Sequence, residues 1–247
     1  MKGQFAAVLL SMMLQFVPAV SAAPPWVSDD PEPVHYRRAE VFFSSAGVHT
    51  DEPAHATTGS LPQVEINVGV KPNLEIHLLA PLTFATGARG GWNSGYGDTE
   101  FGVKQSLIDE GRYVPHIGIA PLVIFGTGNE KEGTGYGASR LFLPVLFQKR
   151  WEEWTSFGGP GYSINHGKGD RDSVFVGGVL TRTFEWGAPG MEFFFRSSDK
   201  TGVRDSFAVN VGFVIDLDED FHLLLSSGRD ISGPNVFMYY AGCLVRF

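Results

Sequence analysis

Residues 239–247 of the chain read Tyr-Tyr-Ala-Gly-Cys-Leu-Val-Arg-Phe, and alternate positions of this stretch have different character. Tyr239, Ala241, Cys243, Val245 and Phe247 form one face, which stays apolar to the last residue, while the other face mixes small, aromatic and charged side chains. This period of two predicts a β-strand with two unlike faces. Ends of domains are usually frayed and polar. An apolar strand that reaches the last residue is therefore unusual, and it favours a membrane barrel, although a soluble β-sandwich also accommodates one.

The N-terminus carries the features of a secretory signal peptide. Lys2 is the only early positive side chain, residues 5–20 are almost entirely apolar, and Val20-Ser21-Ala22 supplies the small residues of a cleavage site. Together these predict a signal peptide over residues 1–22. A transmembrane anchor is the alternative, but the apolar stretch is short and no basic stop-transfer flank follows it.

Downstream of residue 22, no segment approaches the roughly 20 consecutive apolar residues that a membrane helix requires. If the mature chain spans a membrane, it must form a closed barrel, because an open sheet edge leaves backbone groups unsatisfied in lipid. Twelve strand-like runs are predicted. They cover residues 37–47, 62–70, 73–84, 97–108, 112–125, 137–149, 154–163, 173–185, 190–197, 207–217, 221–228 and 236–247.

The connections between these runs alternate between long and short, with long ones such as 49–61 and 126–136 and short ones such as 109–111 and 218–220. This asymmetry is typical of a bacterial outer-membrane barrel, whose short turns face the periplasm. We therefore predict an all-β, twelve-stranded antiparallel transmembrane barrel over residues 37–247, with both termini periplasmic. The strand ending at Phe247 resembles the signal by which such barrels engage the outer-membrane assembly machinery.

Two further patterns support a barrel in a lipid bilayer. Aromatic residues cluster at the predicted strand ends, where indole and phenol rings favour the membrane–water interface. They are Trp151, Trp154 and Trp186 at one end and Trp92, Tyr96, Tyr136 and Tyr162 at the other. Residues 23–36 are rich in proline and acidic side chains and cannot build a core of their own. We expect them to form an extended segment ahead of the first strand; whether this segment enters the barrel from the periplasmic side is left open by the sequence.

Ionisable residues recur on the faces predicted to point inward, since charges cannot face lipid cheaply. These lumen-lining candidates are Glu65, Glu75, His77, Glu100, Lys104, His116, Arg140, Glu192, Arg196, His222 and Arg246. Two interpretations remain open for this set: a network that fills and stiffens the barrel, or a polar path that selects a solute.

Composition and motifs exclude several other classes of protein. The net charge of −8 argues against a nucleic-acid partner. The single cysteine, Cys243, excludes an internal disulfide and a cysteine-based metal site. His49 and His55 lack a matching carboxylate pattern, so no metal or cofactor is expected.

Catalysis is not expected. Ser163 and His166 are the best local candidates for a lipid hydrolase, but they lie on opposite faces of a continuous strand. Glu65 and Glu75 could also form an acid–base pair. Two carboxylates that face a lumen more often pair with arginine or lysine.

Residues 95–104 form a motif, G-x-G-D-x-x-x-G-x-K, built on Gly95, Gly97, Asp98, Gly102 and Lys104. This motif, the turn at 69–75 and the stretch from Pro121 to Gly128 resemble the outer-membrane family named for the meta-pathway of phenol degradation. The resemblance implies a barrel with a role in the uptake of hydrophobic or aromatic compounds, and it offers no catalytic residue.

The expected function is therefore that of an outer-membrane channel or transporter-like barrel for passive uptake of a small solute, of hydrophobic or aromatic character if the family resemblance holds. A closed structural or surface-interaction barrel that acts through its long loops is the alternative. An outer-membrane lipid hydrolase is the third possibility.

Overall fold

The computed structural model describes residues 24–51, 56–86, 91–167 and 170–247. The predicted signal peptide and His55 lie outside these residues. In the described part of the chain, no helix is long and apolar enough to cross a membrane. The helical content of these ranges is one 3-10 turn, Glu130–Glu132, and the remaining regular structure is β.

The strands form one antiparallel sheet that closes on itself. They are β1 (Ala39–Thr50), β2 (Ala56–Lys71), β3 (Leu74–Thr86), β4 (Trp92–Tyr96), β5 (Thr99–Ile108), β6 (His116–Ile119), β7 (Leu122–Phe125), β8 (Arg140–Trp151), β9 (Trp154–Asn165), β10 (Ser173–Arg182), β11 (Gly187–Arg196), β12 (Ser206–Asp216), β13 (Phe221–Ser232) and β14 (Phe237–Arg246). The first and last strands pair along ten positions, from Glu40 opposite Arg246 to His49 opposite Phe237. This pairing satisfies both edges of the sheet.

The fourteen strands occupy twelve positions in the barrel wall. β4 and β5 share one position, since both pair with β3, and β6 and β7 share another, since both lie between β5 and β8. The predicted twelve-stranded antiparallel barrel is confirmed. Of its twelve runs, 112–125 is the least accurate: regular pairing starts at His116 and is interrupted at Ala120 and Pro121. Proline lacks the N–H that a strand ladder needs.

The region predicted as the long connection 49–61 is mostly strand. β1 extends to Thr50 and β2 begins at Ala56, so this hairpin projects beyond the predicted boundaries. The predicted second strand began at Pro62, whereas the observed strand continues through this proline toward Ala56. The β2–β3 register shifts between Ser60 and Gln63, so the proline lies in a bulge, a position that tolerates a missing N–H.

The two faces of the wall follow the predicted alternation. Ile66 and Val68 are exposed on the outer surface, whereas Glu65 and Asn67, which alternate with them, are buried inside. Along β12, Val211 and Phe213 face outward and Asn210 faces inward at 1% exposure. This distribution is inverted relative to a water-soluble protein and suits a hydrocarbon surround.

The interior also contains apolar clusters that the alternation did not predict. Phe42, Ala188, Val214, Leu224 and Leu244 pack together within the wall formed by β1 and β11–β14. Phe175, Phe194 and Ala208 form a second cluster, with Phe142 and Met238 beside it. Along β10–β14 the interior therefore combines apolar clusters with buried polar residues such as Glu192 and His222.

Candidate functional site: the occupied barrel interior

Residues 24–36, called the lumen segment below, enter the barrel at the end where β2 turns into β3. Tyr36 forms a parallel bridge with Gly69, and the Arg37 N–H donates to the Gly69 carbonyl at 2.8 Å. From there the segment runs inward, and it contacts side chains from β3, β5, β8, β11 and β13. Residues 24–36 thus lie inside the barrel, a position that the sequence left open, and residue 23 lies outside the described ranges.

Two buried carboxylates hold the backbone of the lumen segment. Glu75 accepts the Val34 N–H at 2.7 Å. Glu192, which is fully buried, accepts the N–H groups of Val27 at 3.0 Å and Ser28 at 2.6 Å. An irregular chain inside a barrel has no ladder partner for these donors, so the wall must provide acceptors. Both glutamates were predicted from sequence as lumen-lining candidates, and here they act as acceptors for the segment.

Opposite charges attach the segment at two more points. The Lys104 ammonium lies 2.8 Å from Asp29 Oδ1, and Lys104 is 6% exposed. Arg150 of β8 pairs with Glu32. The acidic composition of the segment is thus matched by cations of the wall, and the segment and wall are complementary in charge as well as in shape.

Trp26 is the apolar anchor of the segment. It is 8% exposed and packs with Phe157 of β9 and Val179 of β10. Gly190 and Gly212 face its ring: a Cβ added at either position would lie 2.9 Å from the Trp26 Cη2 atom. The absence of a side chain at these two positions makes room for the indole. A lone tryptophan within a proline-rich acidic run is the sequence signal for this anchor, and the composition of residues 23–36 taken as a whole does not reveal it.

The family motif connects the lumen segment to the loops at the opposite end of the barrel. Asp98, between β4 and β5, accepts the N–H groups of Gly128 at 2.8 Å and Tyr136 at 2.6 Å, and so shapes the loop 126–139. Gly102 lies against Leu122, where a Cβ would be 2.9 Å from its Cδ1. Lys104 holds the segment. Gly95 and Gly97 flank the break at which β4 ends.

A second charged cluster joins three loops at the end where the long connections lie. Arg140 donates to Asp170 at 2.8 Å and to Asp199 at 2.6 Å, and Lys200 also pairs with Asp170. The Tyr136 ring covers the Arg140 guanidinium at 3.6 Å. This contact corrects the prediction that Tyr136 belongs to an aromatic girdle, because its ring stacks on an inward-facing cation. Loops 126–139, 166–172 and 197–205 are thereby tied together.

The Asp170 carboxyl has a pKa below its usual range. Burial acts to raise the pKa, but the hydrogen bond from Lys200 and the charge of Arg140 outweigh it. The carboxylate therefore stays ionised in mildly acidic conditions, and Asp170 keeps its ion pairs with Arg140 and Lys200.

The remaining predicted lumen residues form separate small networks. His77 bonds to Asn67 at 2.8 Å and lies 3.4 Å from Glu65 and 4.0 Å from Glu100. His116 bonds to Ser106 at 2.7 Å.

Near the terminus of the last strand, the side chains form a chain of contacts. Arg246 links Glu40 and His222, at 2.9 Å each, and His222 bonds to Asp216 at 2.6 Å. Arg196 differs from the other ten candidates. It is exposed, and its guanidinium lies 5.9 Å from the Phe175 ring.

The suggested catalytic arrangements do not assemble. Ser163 lies within β9 and His166 follows the strand end, and among the described residues no hydrogen bond joins them. Glu65 and Glu75 bind different partners, Asn67 and the Val34 N–H. No group of three metal-binding side chains occurs in the described ranges.

Solved structures with a similar fold are outer-membrane barrels. The COG4313 outer membrane channel from Pseudomonas putida F1 superimposes with a TM-score of 0.69 at 14% identity, covering 92% of this chain and all of that one. The NanC porin gives 0.56 at 10% identity, covering 82% and 98%. The translocator domain of the autotransporter NalP from Neisseria meningitidis gives 0.50 at 11%, covering 85% and 88%. At these identities the likeness establishes the fold.

Among curated proteins, none matches the chain. A family model described as putative MetA-pathway of phenol degradation matches residues 54–247. The match covers the greater part of the chain and confirms the resemblance seen in the motif at 95–104. The chain belongs to this family of outer-membrane barrels.

Proposed function

We propose that the protein is an outer-membrane channel for the passive passage of a small solute of apolar or aromatic character, with residues 24–36 restricting the passage. The short-turn end, where both termini of the barrel wall lie, would face the periplasm. Support comes from the barrel fold, the family membership and the apolar outer surface. In this proposal the signal peptide directs export and the strand ending at Phe247 engages the assembly machinery.

The observation that carries this proposal is the space left beside the lumen segment. A cavity of about 350 Å³ lies between Trp26 and the long loops, and Phe194, Met238 and Tyr240 contribute to its wall. This volume is at the lower end of the range for small-molecule sites. Aromatic and apolar side chains dominate the wall, which favours a solute with an apolar body over a sugar-like one.

The ionisable wall residues divide between two proposed roles. Glu75, Lys104 and Glu192 would position the lumen segment, since their polar atoms bond to it directly. Arg140 would hold the loops, and Arg196 would face the solute. The passage in this proposal is therefore narrow, and its width depends on how firmly the segment is held.

The experiment compares passage through purified mature protein in two forms, wild type and Trp26→Ala. Liposome swelling with L-phenylalanine and with arabinose measures passage, and planar-bilayer recording measures conductance. We expect the wild type to admit phenylalanine faster than arabinose. The Trp26→Ala protein should pass both faster, because the segment loses its apolar anchor. Trp186→Ala, which removes an exposed rim tryptophan, is the matched control and should behave like the wild type.

A closed barrel that acts through its loops is the second candidate. The cluster of Arg140, Asp170 and Asp199, which ties three loops together, is the observation that favours it. This candidate predicts neither swelling nor conductance from the wild type or from Trp26→Ala. Such a result, obtained with protein that shows the heat-modifiable gel mobility of a folded barrel, would contradict the channel.

A further inference from the structure

The cavity above Trp26 has one wall whose chemistry is not used to hold the lumen segment. Arg196 of β11 lines this wall, and Arg204 lines it as well. Among the described residues, no carboxylate lies within ion-pair distance of Arg196, whose guanidinium lies 5.9 Å from the centre of the Phe175 ring. Asp199 also borders the cavity, but its carboxylate is bound to Arg140 at 2.6 Å. The cavity wall therefore presents a guanidinium to whatever occupies the space.

A second polar group points to the same space from deeper in the barrel. Asn210 lines the cavity and is 1% exposed. Its Nδ2 donates to Glu192 at 3.0 Å, whereas its Oδ1 accepts no hydrogen bond from the described part of the chain. A buried amide oxygen without a donor is costly. The oxygen is therefore a natural acceptor for a hydroxyl group of a bound molecule.

The register of β11 and β12 sets the distance between these two polar groups. Arg196 pairs with Ser206, and Asn210 lies four residues further along β12. Four residues of strand span about 13 Å, so the two groups stand far enough apart for one aromatic ring with a short side chain to lie between them. Phe194, opposite Ala208, lies between these levels, and Trp26 borders the cavity at the level of Gly190 and Gly212, just beyond Asn210. The space thus offers a cation at one end, an aromatic ring in the middle, and a hydroxyl acceptor beside Trp26 at the other end.

We propose that this cavity binds a hydroxyaryl carboxylate, with the carboxylate on Arg196, the ring against Trp26 and Phe194, and the ring hydroxyl donating to Asn210 Oδ1. Arginine binds carboxylates through two parallel hydrogen bonds, a geometry that lysine cannot reproduce. The proposal rests on the proposed channel, because the cavity lies on its passage. It adds that the solute is an anion, which the apolar walls alone do not require.

The test measures binding of 4-hydroxycinnamate to the full mature protein in lipid nanodiscs, by calorimetry. Nanodiscs avoid detergent, which would compete for an apolar cavity, and empty nanodiscs correct for partition into lipid. Binding of 4-hydroxycinnamate should be about tenfold tighter than that of 4-hydroxycinnamyl alcohol, which lacks the charge. Arg196→Gln should abolish this preference, and Arg196→Lys should restore part of it.

The matched control is Arg182→Gln, which removes an exposed arginine that also lies over aromatic rings, those of Trp154 and Phe184 at the other end of the barrel. It should leave binding unchanged. Removal of the ring hydroxyl, as in cinnamate, should weaken binding to the wild type and have no effect on binding to Asn210→Leu.

Equal affinity for the acid and the alcohol, or an Arg196→Gln protein that retains the preference, would overturn the proposal. Binding does not require passage, so a barrel that binds the acid without swelling liposomes would retain this site and lose the channel function. Swelling of liposomes without binding of the acid would support the channel function and overturn the proposed site.

Discussion

The Lys104 ammonium on β5 lies 2.8 Å from the carboxylate of Asp29, which is 75 residues earlier in the chain and inside the barrel. Lys104 closes the motif by which the family resemblance was recognised, and Asp29 belongs to the acidic stretch that precedes the first strand. One ion pair therefore joins the barrel wall to the segment that fills it.

Replacement of Lys104 by methionine should loosen the lumen segment. The variant leaves Asp29 without its cation, and we expect the segment to dock less stably by about 1–3 kcal/mol, since Asp29 is partly hydrated. Conductance in planar bilayers should rise. Lys149→Met, which removes a half-exposed pair with Glu110, is the control and should leave conductance unchanged. Identical conductance of the two variants would show that Lys104 does not hold the segment.

Replacement of Glu192 by glutamine should release the inner end of the segment. The amide directs two hydrogens at a site that now accepts from the N–H groups of Val27 and Ser28, so at least one buried donor loses its acceptor. The cost is about 1–3 kcal/mol. Hydrogen exchange at Val27 and Ser28 should accelerate by roughly tenfold or more. Exchange at Val34, held by Glu75, serves as an internal reference and should change less.

Replacement of Asp98 by alanine should free the loop 126–139 without opening the lumen segment. Asp98 accepts two N–H groups of this loop, and within the described ranges it forms no hydrogen bond or ion pair with residues 24–36. Limited proteolysis should then cut within 126–139 while the conductance of the purified protein stays close to that of the wild type. Protection of the loop in the variant would mean that the stacking of Tyr136 on Arg140 is sufficient to hold it.

Acid should open the cluster of long loops. The pKa of Asp170 is lower in the folded protein than in an unfolded chain, because Lys200 and Arg140 favour the charged form against the effect of burial. The contribution of Asp170 to the stability of the loop cluster is therefore complete above the usual pKa of an aspartate, about 4. It is lost as the pH falls through the lower pKa of the folded state. Proteolysis of loops 166–172 and 197–205 with pepsin should increase across that acidic window.

The matched variant for this pH dependence is Asp170→Asn, which cannot ionise. Its loops should be cleaved readily at neutral pH by trypsin and should show little further change on acidification. If wild type and variant show the same dependence of proteolysis on pH, a group other than Asp170 is responsible for the response to acid.

The lumen-lining candidates could be predicted as a set because the charged positions repeat with the period of a strand. Their partners could not. Glu75 and Glu192 meet backbone N–H groups of residues that are 41 and 164 positions away, and nothing in the local pattern indicates those pairings. Trp26 was likewise assigned to an unstructured run, because composition is averaged over a segment whereas anchoring depends on one side chain and the two glycines facing it.

The sequence by itself determined the barrel, the number of its wall positions and which face of each strand meets lipid, since a period of two follows directly from strand geometry and charge is excluded from hydrocarbon. Only the tertiary structure decided that residues 24–36 occupy the interior, that apolar clusters share the interior with charged side chains, and that Arg196 is the one member of the predicted set that is exposed. Those features depend on which distant strands close around one another, and the closure of twelve wall positions into a ring is a property of the whole chain.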